Sequence, residues 1–260
     1  MQPDTIKKEV ATLRAVWNWA VSHKLVKGLL PTRGLKHSKA KDKPPFLTWS
    51  EIEAAISRGG ISEEQAAKSW DTLFLDTNHI AEILTHVRAT ARQPFVFPMI
   101  AFVALTGCRR SEMFRSQRQD IDVETKRARI REKKRDRSVL LTYRHVDLHP
   151  YLAQVMRDWF AVHPGGPNTF CTNPNAELTI TEAFYHFQAA LTDSKWTVLR
   201  GFHVFRHSFA SNLARAGVDQ RVIDGFLGHQ TEQMRQRYRH LFPDTKQIAI
   251  QAAFATTPVP

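Results

Sequence analysis

The fold turns on HVFRHSFASNLARAGVDQRVIDGFLGH, residues 203–229. It reads as two helices. The first runs over His203–Ala216 and is closed by Gly217 as a C-terminal cap; the second runs over Asp219–Leu227. His203 and Arg206 lie one turn apart on one face of the first helix. Leu227-Gly228-His229 ends the stretch, and Tyr238 follows His229 by nine residues on a further helix, Glu232–His240. A polar, charged helix face of this kind is usually a solvated surface, so its meaning depends on what precedes it.

Outward from there, the loop PGGPNTFCTNP (164–174) leads to a helix capped by Thr181, and a helix over residues 150–162 comes before it. Residues 126–148 are the β region. RARIREKK and SVLLTYRHVDL are rich in Val, Ile, Leu and Arg, with polar residues 133–137 between them, which predicts a hairpin with a charged turn. The apolar run Phe95–Leu105 predicts a buried helix with Gly107 just after it. Asp76 starts a helix bearing Ile80, Ile83, Leu84 and Val87. Thr48 with Glu51 makes a capping box, and Ser62 with Gln65 is a second candidate. FLTWSEIEAAI (46–56) and LFLDTNHIAEIL (73–84) echo one another, which leaves two possible starts for the main domain. Residues 36–45, KHSKAKDKPP, have the composition of a solvated linker. Before it, Ile6, Val10, Leu13, Trp17, Ala20 and Val21 recur at helical spacing over residues 4–23, with a shorter element over Leu25–Leu30. The expected fold class is mainly α with a small antiparallel β-sheet, an α+β architecture.

Composition narrows the function classes. The chain has 260 residues, with 37 Lys+Arg against 25 Asp+Glu, a balance of +12. Its 42% hydrophobic and 24% charged content is ordinary for a globular protein, so collagen-like and wholly disordered readings fail. The longest apolar run is far too short to span a bilayer. The N-terminus lacks an apolar signal core, and Cys108 and Cys171 make no disulfide framework, so a cytoplasmic location is expected. The excess positive charge points to a polyanion, either nucleic acid or an anionic membrane surface.

Four signals carry chemistry: TGCRRSE (106–112), the lysine pair Lys133/Lys134, the His203/Arg206 pair, and Leu227-Gly228-His229 with Tyr238. Each has a bland counterpart. Arg109 has Glu112 available as a structural partner, hairpin lysines are usually solvated, and a lone tyrosine is usually packed. His203 and His207 at i, i+4 could hold zinc, but no Glu or Cys lies at suitable spacing nearby, so no metal is expected.

Taken together and in this order, the signals resemble the tyrosine recombinases, the phage-integrase family. TGCRRSE looks like the family's first-arginine box, residues 203–229 like its His-x-x-Arg box running into Leu-Gly-His, and MRQRYRHL (234–241) like its nucleophile box. The resemblance covers about residues 74–241. It implies a tyrosine-recombinase catalytic fold over 46–260, with the family core from about 74 and a C-terminal tail over 242–260. Residues 36–45 would be a basic linker, and residues 1–35 part of a helical core-binding (SAM-like) domain. The helices that usually precede that part are missing, so a truncated product is expected. The segment 46–73 looks inserted.

Carried over residue by residue, the resemblance makes Arg109 and Arg206 the grip on the scissile phosphate. His203 and His229 become the two histidines and Tyr238 the nucleophile. IREKKR (130–135) favours Lys134 over Lys133 as the hairpin lysine, although more residues than usual separate it from Val146-Asp147-Leu148. The chemistry suits these groups. Two guanidinium forks match the non-bridging oxygens of a phosphodiester under attack. A phenol with a pKa of roughly 10 needs a positive field or a base to attack. The leaving 5′ oxygen needs a proton, which a lysine can give. The implied product is a 3′-phosphotyrosyl intermediate, formed without nucleotide, metal or other cofactor. The implied partners are double-stranded DNA and further copies of the chain, as a tetramer on DNA, with no membrane. Lys36, Lys39, Lys41, Lys43, Lys133 and Arg135 are candidate backbone contacts. The alternatives are a catalytically silent DNA-binding protein of this fold, a type IB topoisomerase-like enzyme, and a helix-turn-helix regulator; the last would leave Arg109 and Tyr238 without a role.

Overall fold

The computed structural model describes residues 3–32, 35, 44–60, 62–132, 143–228 and 232–239. The chain divides into two compact units, Met1–Lys43 and Pro44–Pro260. The first holds α1 (Pro3–Ser22). Its apolar stripe is only partly covered: Val10, Trp17 and Ala20 are half-buried, whereas Ile6, Leu13 and Val21 are exposed, as are Val16 and Trp19 beside it. Trp17 Nε1 donates to the Gly28 carbonyl at 3.0 Å. The short element expected over 25–30 does not form as a helix. Lys24 adopts a left-handed φ of 59°, and Leu25 N–H donates to the Ala20 carbonyl at 2.9 Å, which closes α1 as a glycine cap would.

The second unit begins with α2 (Trp49–Ser57), α3 (Glu63–Ser69), α4 (Thr77–Thr90), α5 (Val96–Thr106) and α6 (Arg110–Phe114). Strands β1 (Ile121–Asp122), β2 (Arg127–Arg131) and β3 (Tyr143–Asp147) follow. After them come α7 (Pro150–Ala161), α8 (Ile180–Leu191), α9 (His203–Arg215), α10 (Gln220–Leu227) and α11 (Glu232–Arg239). The fold is mainly helical with a small antiparallel sheet, as the sequence predicts.

α5 is apolar almost throughout and buried along most of its length, with Phe97 and Leu105 partly buried. Residues 98–104 are all buried, as are Val96 and Thr106, and α4, α7, α8 and α9 pack around it. Each large apolar side chain so placed contributes about 1.5–3 kcal/mol over leaving it in water. Gly107 ends the helix at φ 61°. A Cβ there would stand 2.6 Å from Phe209 and 2.9 Å from Leu227. Glycine is therefore required twice, by backbone angle and by space. That close approach lets α5, α9 and α10 meet at one point.

Local chemistry sets most helix ends. Thr48 with Glu51 and Ser62 with Gln65 both form capping boxes, and Asp76 accepts the His79 amide at 2.9 Å. One cap differs from expectation. α8 is capped by Thr179, not Thr181, because Glu182 reaches back to the Thr179 amide at 2.9 Å while its own amide bonds the Thr179 hydroxyl. The echo between 46–56 and 73–84 also has a structural counterpart. Leu47 and Leu73 form a parallel bridge, with Leu47 N–H on the Thr72 carbonyl at 3.0 Å and Phe74 N–H on the Leu47 carbonyl at 2.9 Å. The segment looking inserted is docked rather than loose. Trp49 packs on Trp70 and Trp196 at 4.5 and 5.1 Å between ring centres.

The hairpin gains a third strand, in the antiparallel order β1-β2-β3. Ala128 faces Val146 and Ile130 faces Arg144. Ala128, Ile130 and Val146 are buried. On the alternate positions Arg129 and Arg131 both bond the buried Asp120 carboxylate, at 2.9 and 3.0 Å. The charged turn expected at 133–137 lies outside the described residues.

Candidate active site

Three of the expected site residues come together where α5, α6, α9 and the end of α10 meet. Arg109 is the N-cap of α6 and follows Gly107 by two residues. Its guanidinium donates to Glu112 Oε1 at 2.6 Å, and its amide donates to Glu112 Oε2 at 2.7 Å. The structural partner expected for Arg109 is thus real, yet the guanidinium stays one-third exposed. Arg206, on α9, is buried. It donates to two main-chain carbonyls, Gly107 at 2.8 Å and Leu227 at 2.7 Å. These two bonds tie the end of α5 to the end of α10 through one side chain. Burial, then the neighbouring Arg109 charge, pushes the Arg206 pKa down to about 10, so it remains a cation at neutral pH.

His203 opens α9. Desolvation on its inner side, reinforced by Arg110, Arg206 and Arg109, holds its imidazole below the ordinary 6.5. A neutral ring at pH 7 can accept or donate a proton, depending on tautomer. A pocket of about 260 Å³ opens beside it, lined by Trp70, Asp71, Arg110, Arg200 and His207 among others. Cys108 is no competing nucleophile, since burial pushes its thiol up to about 12. His203 and His207 face each other at 6.2 Å between ring centres. Among the described residues no group of three His, Cys, Asp or Glu could hold a metal ion, and no helix is long and apolar enough to cross a membrane.

One residue, Arg144, organises this site without standing out in the sequence. Arg144 on β3 points inward from the register position opposite Ile130. It donates to Glu112 Oε2 at 2.8 Å, to Glu132 at 3.1 Å and to the Phe226 carbonyl at 2.6 Å. Burial alone would raise the Glu112 carboxyl. The bonds and charge of Arg144, with the Arg109 amide and guanidinium, outweigh it and hold Glu112 at about 2. Glu112 is therefore an anion clamped between two arginines. The signal that could have found Arg144 is its inward phase in the alternation shared with Val146.

Gly228 joins this network. It has φ 67° and ψ 169°, and a Cβ there would lie 2.5 Å from Glu132 Oε1 and 3.6 Å from Arg109 Nη1. The Leu-Gly-His segment is thus packed against the first arginine. His229, the residue after it, lies outside the described residues. So do Lys133, Lys134 and Arg135, which follow Glu132, and the linker lysines Lys36, Lys39, Lys41 and Lys43. Tyr238 lies on α11 by its backbone, and its side chain is outside the described set. The described groups form a cationic recess with two guanidiniums held differently, one buried on two carbonyls and one partly exposed on a carboxylate. That arrangement suits an oxyanion such as a phosphate.

Comparison with known proteins bears on the family and the fold. The family model described as Phage integrase family matches residues 73–244. Tyrosine recombinase XerC of Treponema denticola is 27% identical over 250 residues, covering 92% of this chain and 73% of that protein. Transposase B from transposon PsiTn554 of Staphylococcus aureus is 42% identical over 43 residues, 16% of this chain and 7% of that protein. Two solved structures share the fold. One is XerH site-specific recombinase bound to a palindromic difH substrate, with TM-score 0.53 at 20% identity, covering 70% of this chain. The chain spans 52% of that XerH chain. The other is the Tn1549 transposon integrase in complex with transposon right end DNA, with TM-score 0.55 at 13% identity, covering 98% of this chain and 79% of that one. The chain belongs to the phage integrase family of tyrosine recombinases.

Proposed function

We propose that this chain is a site-specific DNA recombinase, an integrase of a mobile element, that cuts and rejoins double-stranded DNA through a 3′-phosphotyrosyl intermediate. The observation that carries the proposal is the meeting of Arg109, Arg206 and His203 beside Gly228, from segments about a hundred residues apart. Arg206 is held by the Gly107 and Leu227 carbonyls. Arg109 is anchored to Glu112 with about a third of its side chain exposed, 34%. Two such groups would hold the non-bridging oxygens of the scissile phosphate and gain strength as charge builds there.

Tyr238 Oη attacks phosphorus and loses its proton to a base, with His203 as the described candidate. The phosphorus–O5′ bond breaks, and O5′ takes a proton from Lys134. His229 hydrogen-bonds the phosphate. The covalent phosphotyrosyl bond retains the energy of the phosphodiester, so a free 5′ hydroxyl can reverse the step without nucleotide. Glu132, one residue before the lysine pair, lies within reach of Gly228 and Arg144, which supports a hairpin lysine acting in this recess. The wider assignment is a core-binding segment over 1–35, a basic linker over 36–45 and a catalytic domain over 46–260. DNA would be bound as a tetramer in the cytoplasm, at the nucleoid. Lys36, Lys39, Lys41, Lys43, Lys133 and Arg135 would contact the backbone in a salt-sensitive way.

The test uses a pool of nicked duplexes of randomised sequence as suicide substrates, with adducts trapped on a denaturing gel. The chain should form a covalent adduct, and Tyr238→Phe should not. An adduct that persists in the phenylalanine variant would remove Tyr238 as nucleophile. Arg109→Ala and Arg206→Ala should cut adduct formation far more than binding; equal losses would point to a binding module.

A further inference from the structure

The chain that enters the catalytic unit makes three contacts with one residue of α11. The Phe46 amide donates to the Arg237 carbonyl at 3.1 Å. Arg237 Nε donates to the Pro44 carbonyl at 2.9 Å. The Arg237 guanidinium carbon stands 3.7 Å from the centre of the Phe46 ring. The seat is not a loose surface contact. Phe46 is fully buried in a cluster with Phe74, Ala210, Ala214, Ile223 and Leu227, and its ring lies 4.3 Å from that of His207, one turn beyond His203 on α9. A second tether holds the other part of the helix, where Arg235 pairs with Asp224 on α10 at 2.7 Å.

Arg237 immediately precedes Tyr238. Adjacent helical residues are fixed to each other, with about 1.5 Å of rise and 100° of turn between them. A main-chain bond, a side-chain bond and a ring contact at residue 237 therefore set the height and rotation of residue 238. We infer that Phe46 and Arg237 are positioning residues for the nucleophile, so that the segment leaving the linker at Pro44 holds the tyrosine helix in register with the α9 face that carries His203 and Arg206. This rests on the recombinase function proposed above.

The same nicked-duplex pool tests it, with covalent adduct rate and DNA affinity measured separately on the full chain. Arg237→Met and Phe46→Leu should each slow adduct formation about 10- to 100-fold, because a misplacement near 1 Å costs about 100-fold. DNA affinity should stay within about twofold, because neither change alters the phosphate grip. The double variant should be no slower than the slower single one, as expected for one shared contact. Arg237→Lys, which keeps a cation over the ring, should recover most of the rate with Phe46 present and none of it in the Phe46→Leu background. Parallel losses of rate and affinity, multiplicative losses in the double variant, or an unchanged rate in Phe46→Leu would each overturn the inference while leaving the recombinase proposal intact. No adduct from the unaltered chain would overturn both.

Discussion

Replacing Glu112 by glutamine should destabilise the fold by about 3 kcal/mol at pH 7, and the loss should fade in acid. Glu112 is almost completely buried between Arg109 and Arg144, and its pKa falls from the ordinary 4.5 to about 2. A drop of that size corresponds to roughly 3 kcal/mol of preference for the ionised form in the folded state. The figure agrees with the 3–5 kcal/mol typical of breaking a buried ion pair by removing one partner. The sign follows from the direction. A carboxyl whose folded pKa is depressed stabilises the protein above its unfolded pKa and loses that contribution as pH falls through the folded one. At pH 3 the contribution should be down to roughly 1.4 kcal/mol. The assay is urea unfolding of both proteins between pH 3 and 7, with the difference in unfolding free energy plotted against pH. Adduct formation should fall as well, because Arg109 loses the anchor that aims it. A difference below about 1 kcal/mol at pH 7, or one that does not shrink between pH 5 and 3, would refute the reasoning.

Gly107→Ala should lower the unfolding free energy by about 2 kcal/mol or more, since φ 61° is strained for alanine and its Cβ would meet Phe209 at 2.6 Å; thermal unfolding measures this. Arg206→Lys keeps the charge but cannot span the Gly107 and Leu227 carbonyls with a fork. It should cut adduct formation by about 100-fold, and a rate near that of the unaltered chain would remove the need for that geometry. Because burial, with the neighbouring arginines, holds His203 below the ordinary imidazole pKa, a cleavage rate that needs the neutral ring should be lost on an acid limb whose midpoint lies below that of a free imidazole. A single-turnover pH profile would show that limb, and His203→Gln should abolish it.

Much of the fold is legible in the sequence because its signals are local. Thr48, Ser62 and Asp76 act on amides three residues away, and Gly217 follows α9 with a left-handed φ of 74°. α5 declares itself by a continuous apolar run, which only a fully surrounded helix can bury. Where local signals compete, neighbours decide: Thr179 and Thr181 both precede acceptable helix starts, and Glu182 sits three residues after the first of them. The partly exposed stripe on α1 marks the limit of periodicity. Spacing predicts which face is apolar, not what covers it.

The sequence by itself determines the chemistry available and its order along the chain: an arginine after a tight glycine, a histidine and arginine one turn apart, then Leu-Gly-His and a tyrosine. Those are properties of side-chain type and short spacing. Convergence is a different matter. Arg206 reaches Gly107 across 99 residues, and Arg237 reaches Pro44 across 193. Arg144 becomes part of the site only because β3 pairs with β2 in a register that sets it opposite Ile130 and turns it inward toward Glu112. Contacts between distant segments depend on how whole elements pack, and packing is decided by the summed burial of the core rather than by any one stretch.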